Sequence, residues 1–184
     1  MFINESEVSP KVDLKTSTWE TNGIVDLRYL IAELGAKFVK IFERKGIYLA
    51  IKISPDLPRF FKGNAEKVKF IMDTIIKYNF NNINDGGVII EVKVKRKKEN
   101  RHKITMCVTA SSISISPELV EFICHQITEN QIDEATRVPR NLRIARDVTK
   151  VLGGDITVQS LMGMGTRCEV KICLETAPKT VNWN

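Results

Sequence analysis

Two hydrophobic periods alternate along this chain, and together they require a fold that packs helices on a sheet. Between Leu27 and Phe42, apolar residues recur at three- and four-residue steps, as on one face of an amphipathic helix. From Ile47 to Ile53, every second residue is a large aliphatic one, as in a half-buried strand. Because a helical stripe and a strand face each need a partner surface, we expect both to share one core.

The rest of the chain continues to switch between the two periods. Further helices are predicted over three ranges, which are 64–79, 117–126 and 140–152. Further strands are predicted over four ranges, which are 88–95, 103–110, 155–160 and 166–174. This order predicts an α+β two-layer sandwich, in which a mixed five-stranded sheet carries three long helices on one face.

The polar ends of the chain set the expected domain boundaries. Residues 1–23 and 176–184 show no sustained hydrophobic period, so we expect a flexible leader and a disordered tail. One domain over 24–175 is long enough to bury a substantial core. No apolar run reaches the ~20 residues that span a bilayer. We therefore expect a cytoplasmic chain, or the cytosolic portion of a membrane sensor.

Cysteine and histidine are too scattered along the sequence to indicate a metal site. The four cysteines, Cys107, Cys124, Cys168 and Cys173, form no C-x-x-C pair, and the chain has only two histidines. Structural zinc sites need closely spaced ligands of these types. We therefore expect no bound metal, and we expect the cysteines to be reduced, buried thiols.

Positive charge is concentrated in one stretch of the chain. The formal net charge is +6, and residues 93–103 read K-V-K-R-K-K-E-N-R-H-K. Clustered Lys and Arg attract nucleic-acid phosphates, and such binding would weaken steeply with salt. However, no aromatic residue in the stretch could stack on bases, and the stretch joins two predicted strands. We favour a solvated hairpin, and we do not expect nucleic acid as a partner.

Seven short segments, taken in order, carry a more specific signal. They are V-D-L-R-Y-L at 25–30, R-K-G-I-Y-L at 44–49, S-P-D-L-P at 54–58, G-N-A-E-K-V-K at 63–69, N-D-G-G at 84–87, V-L-G-G-D-I-T-V-Q-S at 151–160 and G-M-G-T at 163–166. Together they resemble the ATP-binding catalytic domain of sensor histidine kinases (HATPase_c). The resemblance covers roughly residues 24–175. It implies the Bergerat-type ATP-binding fold of the GHKL superfamily and a role in two-component signal transduction.

The resemblance also implies a magnesium-binding asparagine on the second helix, and this chain lacks it. An ungapped match from Gly63 to Gly87 places that asparagine at Tyr78, and the polar residue one turn earlier at Thr74. A phenol is a poor magnesium ligand beside an amide or carboxylate oxygen. Asn79 is adjacent, but one residue is ~100° around a helix, so we expect it to point elsewhere.

The adenine-binding box of the family is altered as well. In the family, a D-x-G-x-G segment after the central strand supplies an aspartate that accepts a hydrogen bond from the adenine amino group. Ala110 stands in place of that aspartate, and Ser112 and Ser114 stand in place of the glycines. A lost hydrogen bond to a charged group costs about 1.5–3 kcal/mol.

The phosphate-binding box departs from the family pattern in the same way. In the family, a G-x-G-x-G segment at the start of the third long helix cradles phosphates with its backbone N–H groups. Arg137, Pro139 and Asn141 stand in place of those glycines. Proline has no N–H and a fixed φ, so Pro139 cannot act as a glycine there.

An arginine series around the start of the third long helix has two interpretations. Arg137, Arg140, Arg143 and Arg146 recur every three residues. They could form a site for an anion or an acidic partner, because guanidinium groups suit carboxylates and phosphates. The alternative, which we favour, is a solvated helix face.

These departures lead to two hypotheses about function. The first is a degenerate, non-catalytic histidine-kinase-type domain, a pseudokinase that acts through protein–protein contact. Its partner would be a kinase, a response regulator or its own N-terminal modules, and it would need no cofactor. The second is a diverged but working ATP-binding domain of a histidine kinase, with ATP and magnesium as cofactors. Neither histidine lies in a segment like the family's H-E-x-x-x-P, so no residue is predicted to be catalytic.

Overall fold

The computed structural model describes residues 23–111, 115, 120, 140–161 and 164–177. In chain order the elements are β1 (Gly23–Asp26), α1 (Leu27–Arg44), β2 (Tyr48–Ile53), β3 (Phe60–Gly63), α2 (Ala65–Asn82), β4 (Gly87–Lys98), β5 (Arg101–Ala110), α3 (Arg140–Val151), β6 (Asp155–Leu161) and β7 (Gly165–Thr176). The predicted leader up to residue 22, the tail from 178 and nearly all of the helix predicted at 117–126 lie outside the described residues. None of the helices in the described ranges is long and apolar enough to cross a membrane.

All the strands of the described residues belong to one mixed sheet. Its order is β1-β3-β7-β5-β4-β2, and β6 also pairs with β7. Strands β2 and β4 run parallel, whereas β4, β5 and β7 form antiparallel ladders. The predicted strands are confirmed, but the sheet has seven strands instead of five. The sequence does not indicate β1 and β3 because each has four residues, too few for a period, and both depend on pairing with distant segments.

The hydrophobic core lies between the helices and one face of the sheet. Helix α1 contributes its whole apolar stripe, which consists of Leu27, Leu30, Ile31, Leu34, Phe38 and Phe42. The central strands contribute their inward positions, which are Val88, Ile90 and Val92 on β4, Ile104, Met106 and Val108 on β5, and Val170, Ile172 and Leu174 on β7. The predicted two-layer arrangement, with the long helices on one face of the sheet, is therefore confirmed.

The opposite face of the sheet is polar. It carries charged side chains that pair with one another, such as Lys93 with Glu91 (3.0 Å between Nζ and Oε2) and Lys171 with Glu169 (2.7 Å between Nζ and Oε2). Exposed pairs of this kind contribute little to stability. This face is the solvated side of the sheet, as expected for an antiparallel sheet with one covered face.

The C-terminal end of α2 is held by a lysine from α1's C-cap. The ammonium group of Lys45 donates to the carbonyl oxygen of Phe80 at 2.8 Å and also to that of Ile83. It also lies 4.8 Å from the centre of the Phe80 ring. A cation at the C-terminus of a helix satisfies carbonyl groups that lack intrahelical partners and complements the helix dipole. Lys45 therefore ties the first two helices together.

The turn between α3 and β6 depends on two glycines for different reasons. Gly153 has φ +64°, the left-handed conformation common just after a helix, and a Cβ there would meet nothing within 4 Å. At Gly154, a Cβ would lie 1.9 Å from the carbonyl oxygen of Lys171. The first glycine is needed for its backbone conformation, and the second is needed because strand β7 passes directly over it.

We expect Lys45→Met to lower the free energy of unfolding by about 1–2 kcal/mol, because two carbonyl groups at the end of α2 lose their donor. The measurement is chemical denaturation followed by circular dichroism. Lys40→Met is the matched control, since Lys40 is an exposed residue of α1. Equal stability losses in the two variants would contradict this role for Lys45.

We also expect the two glycines to respond differently to the same change. Gly153→Ala should lower the free energy of unfolding by about 1 kcal/mol, the strain of a left-handed alanine. Gly154→Ala should lower it by about 3 kcal/mol, because a backbone oxygen must move. Thermal denaturation of both variants shows which change lowers stability more. A larger loss in Gly153→Ala than in Gly154→Ala would show that β7 can move away from Gly154.

Candidate functional site

The candidate site lies where β5 ends and β7 begins, beside α2, and its first predicted residue is Ala110. The Ala110 side chain is fully buried, at 0% exposure. In the sheet, Ala110 is in register with Val88 on β4 and with Thr166 on β7. A methyl group can neither donate nor accept a hydrogen bond, so this position offers no polar recognition.

Hydrogen bonds to hydroxyl groups hold the segment that follows Ala110. The Ser111 hydroxyl oxygen accepts from the Gly87 N–H at 2.9 Å, which closes the end of the β4–β5 ladder. The Ile115 N–H donates to the Ser160 hydroxyl oxygen at 2.9 Å. That hydroxyl lies 2.9 Å from the Thr166 hydroxyl. Ser160 and Thr166 therefore link the segment after β5 to the β6–β7 hairpin.

Gly165 brings the backbones of β5 and β7 together at this end of the sheet. Its φ is +96°, a conformation that residues with a side chain rarely adopt. A Cβ at Gly165 would lie 2.2 Å from the carbonyl oxygen of Ala110. The glycine of the G-M-G-T segment is thus required by the close approach of the two strands.

Helix α2 contributes Thr74 and Tyr78, and both side chains are turned towards the protein. Thr74 is 8% exposed, and Tyr78 is partly buried and packs against the hydrophobic core. Burial raises the pKa of the Tyr78 phenol well above its usual range, and the nearby Cys168 thiol adds to this effect. The phenol is therefore neutral throughout the physiological range.

Tyr78 and Ala110 lie at the same part of the sheet. Cys168, whose thiol acts on Tyr78, is in register with Val108, one inward position before Ala110 on β5. Successive inward positions of a strand are about 7 Å apart. Tyr78 therefore packs on the core side of the sheet near the β5–β7 ladder, which also carries Ala110.

Asn79 is directed elsewhere than Tyr78. Its side chain is 0% exposed, and its amide nitrogen donates to the Ile75 carbonyl oxygen at 2.8 Å. The amide oxygen of Asn79 accepts no hydrogen bond from any of the described residues. A buried amide bonded to its own helix is not presented to solvent, as expected for a side chain that points elsewhere than Tyr78.

Helix α3 carries the described part of the arginine series. Asn141 and Arg143 are partly buried in its first turns. The Arg146 side chain is only 13% exposed, and its Nε lies 3.6 Å from Asp147 Oδ1. The interpretation of the series as a solvated helix face is therefore wrong for Arg146, because most of this side chain is covered by the protein. Arg140 is the first residue of the helix, and its side chain lies outside the described part.

Several predicted site residues cannot be placed, since Ser112, Ser114, Arg137 and Pro139 lie outside the described residues. Within the described ranges, no three His, Cys, Asp or Glu side chains are grouped so that they could hold a metal ion. The described side chains discussed here are the hydroxyl groups of Ser111, Ser160 and Thr166, the methyl group of Ala110 and the phenol of Tyr78. These five side chains can pack and form neutral hydrogen bonds, and none of them is a carboxylate.

The sequence reasoning did not select Ser160 and Thr166 as site residues. Both belong to segments that carry the resemblance. Ser160 lies near the end of β6, and Thr166 lies at the start of β7. The signal that could have identified them is the hairpin itself. Ser160 and Thr166 face each other in the β6–β7 register, so their hydroxyls had to be neighbours.

Comparison with known proteins connects the chain to one group of enzymes. No protein-family model matches the sequence. A curated relative, hybrid signal transduction histidine kinase B of Dictyostelium discoideum, is 27% identical over 125 residues. The match covers 66% of this chain but 6% of that protein. The chain therefore spans a small fraction of the length of the relative.

Solved structures give the fold. Full-length ShkA in complex with AMPPNP is similar over 88% of this chain and 33% of that chain, with a TM-score of 0.66 and 17% identity. The nucleotide-free catalytic domain of histidine kinase ThkA is similar over 83% of this chain and 95% of that chain, with a TM-score of 0.58 and 16% identity. ThkA in complex with the response regulator TrrA gives a TM-score of 0.60 and 15% identity, over 87% of this chain and 43% of that chain. The chain has the fold of the ATP-binding catalytic domain of histidine kinases.

Proposed function

We propose that this chain is a histidine-kinase-type ATP-binding domain of two-component signalling that has lost ordinary nucleotide binding and acts through protein contact. The observation that carries the proposal is Tyr78. A half-buried phenol, which packs against the hydrophobic core, takes the position that the resemblance assigns to a magnesium ligand. A neutral phenol is a poor ligand for a hard divalent cation, which selects carboxylate, amide and water oxygens.

The position of the adenine anchor supports the same proposal. Ala110 is fully buried, and the backbone of Gly165 lies against its carbonyl group. The lost charge-assisted hydrogen bond corresponds to roughly a ten- to hundredfold loss of affinity.

The phosphate-binding box adds a third departure, which rests on sequence. Pro139 stands where the resemblance requires a glycine, and proline supplies no backbone N–H to a phosphate. Magnesium, adenine and phosphate contacts are all affected. One altered contact could be compensated elsewhere, whereas the loss of all three favours a domain without a nucleotide.

A protein partner follows from what the similar proteins do. ThkA is found in complex with the response regulator TrrA, and the curated relative is a hybrid histidine kinase. For this chain we propose a partner of the same pathway: a kinase, a response regulator or N-terminal modules of its own protein. Binding would act by shifting the partner between conformations that it already populates. The candidate contact residues are Arg137, Arg140 and Arg143 of the arginine series, since the Arg146 side chain is largely covered.

A second candidate function is a working ATP-binding domain. It is favoured by the likeness to ShkA, whose structure contains AMPPNP and has a TM-score of 0.66 to this chain. Under this alternative, other side chains would replace the missing contacts. Both candidates share the fold and differ in whether a nucleotide binds.

Calorimetric titration with magnesium-ATP and with ADP separates the two candidates. We expect no binding with a dissociation constant below ~100 μM, and no rise of the melting temperature when nucleotide is added in excess. ShkA, titrated in the same buffer, is the positive control. A dissociation constant below ~100 μM for this chain would establish the second candidate instead.

Alkaline titration tests whether Tyr78 is held inside the protein. A phenol whose pKa is raised on folding favours the folded state below its unfolded pKa of about 10, and this contribution is lost as the pH rises further. We expect wild type and Tyr78→Phe to show the same phenolate absorbance above pH ~10 as long as both remain folded. If wild type gains the absorbance of one more phenolate before it unfolds, Tyr78 is accessible and the pocket is open.

A further inference from the structure

Positive charge is gathered on one face of the β4–β5 hairpin. Residues directly opposite each other in a ladder lie on the same face of a sheet. Lys95 is opposite Lys103, and after a register shift between Arg96 and Lys98, Lys98 is opposite Arg101. Together with Lys93, these residues continue the outer, solvated face of the sheet. We call the five residues the basic face, and they are Lys93, Lys95, Lys98, Arg101 and Lys103.

The end of the β4–β5 hairpin has a strand neighbour on one side. Strand β5 stays paired with β7 as far as Arg101 opposite Glu175, whereas strand β2 ends at Ile53, opposite Val92, and no other described strand pairs with β4 on that side. Residues 95–101 are exposed on both faces of the hairpin. Because the described helices pack on the opposite face of the sheet, they do not cover the basic face.

Few negative charges compensate the basic face. Lys93 pairs with Glu91 at 3.0 Å, and Arg101 lies 4.0 Å from Glu175, which also approaches Lys62 at 3.7 Å. Among the described residues, Lys95, Lys98 and Lys103 form no ion pair. The positive charge is thus concentrated towards the hairpin end of this face.

Like charges placed directly opposite each other destabilise a sheet. A simple solvated hairpin has no need for two such pairs in succession. An external layer of negative charge would remove the repulsion between Lys95 and Lys103 and between Lys98 and Arg101. The arrangement therefore indicates an anionic partner.

The shape and composition of the basic face decide which anionic partner fits. The cations lie on the face of a sheet, in two columns about 5 Å apart with steps of about 7 Å along each strand. Four of the five are lysines, which act as hydrated point charges and not as planar forks that read bases or bind one phosphate in two places. The face carries no aromatic side chain that could stack on nucleic-acid bases.

We propose that the basic face docks on an anionic lipid bilayer. A bilayer surface is broad and its charged lipids rearrange freely, so it can neutralise a lattice of point charges without matched geometry. Clusters of basic residues next to a membrane are attracted to phosphatidylserine-rich surfaces in this way, and the attraction falls off within a Debye length. This inference does not depend on whether the domain binds a nucleotide.

Vesicle co-sedimentation of the full chain tests the proposal. In about 0.1 M salt we expect binding to vesicles that contain phosphatidylserine and none to neutral phosphatidylcholine vesicles, with release in about 0.5 M salt. The double variant Lys95→Gln/Lys103→Gln should lower the partition coefficient about tenfold or more. Lys40→Gln/Lys150→Gln removes the same charge from exposed sites on α1 and α3, and it should retain most of the binding.

Three results would overturn the proposal. The first is a lack of preference for anionic over neutral vesicles. The second is an equal loss of binding in the basic-face variant and in the helix variant, since only net charge would then matter. The third is binding to duplex DNA with no binding to anionic vesicles, which would assign the basic face to nucleic acid. Circular dichroism of each variant establishes that it is folded before binding is compared.

Discussion

The structure depends on the pairing of β7 with three other strands. Its ten-residue antiparallel ladder with β5 joins the first part of the chain to the last, from Arg101 opposite Glu175 to Ala110 opposite Thr166. Along its other edge, β7 pairs with β6 and, near its end, with β3. Without β7, the β1–β3 pair and the β2-β4-β5 sheet would share no backbone hydrogen bonds. The helices could then find no continuous surface on which to bury their apolar stripes.

The sequence predicts the elements with a strong hydrophobic period well and their boundaries less well. Helix α2 continues to Asn82, three residues beyond its predicted end at Asn79. Two asparagine amides donate to carbonyl oxygens one turn earlier, and Lys45 caps the end from outside the helix. The asparagine-rich segment 79–84 is typical of a turn. The contact that supports a helix there comes from Lys45, which lies 35 positions before Phe80 in the sequence.

The candidate site shows the same division between what sequence can and cannot predict. A change of residue type, such as tyrosine for asparagine at position 78, is visible in the sequence once the register is known. Burial and hydroxyl partners are not visible, because they arise from strands that meet only in the folded chain. Ser160 and Thr166 form one hydroxyl pair through the β6–β7 register, and Arg146 is covered only once α3 packs against the rest of the domain. Part of the site also lies outside the described residues.

The central position of β7 has a consequence for the order of folding. This strand follows every other described element along the chain, yet it occupies the middle of the sheet. During synthesis, the earlier strands and helices emerge before β7. Until β7 is available, strand edges stay unpaired and apolar faces stay exposed. Strand pairs that join distant segments form slowly, and partly assembled sheets of this kind are prone to aggregate. A nascent chain of this protein is therefore most vulnerable just before residues 165–176 become available.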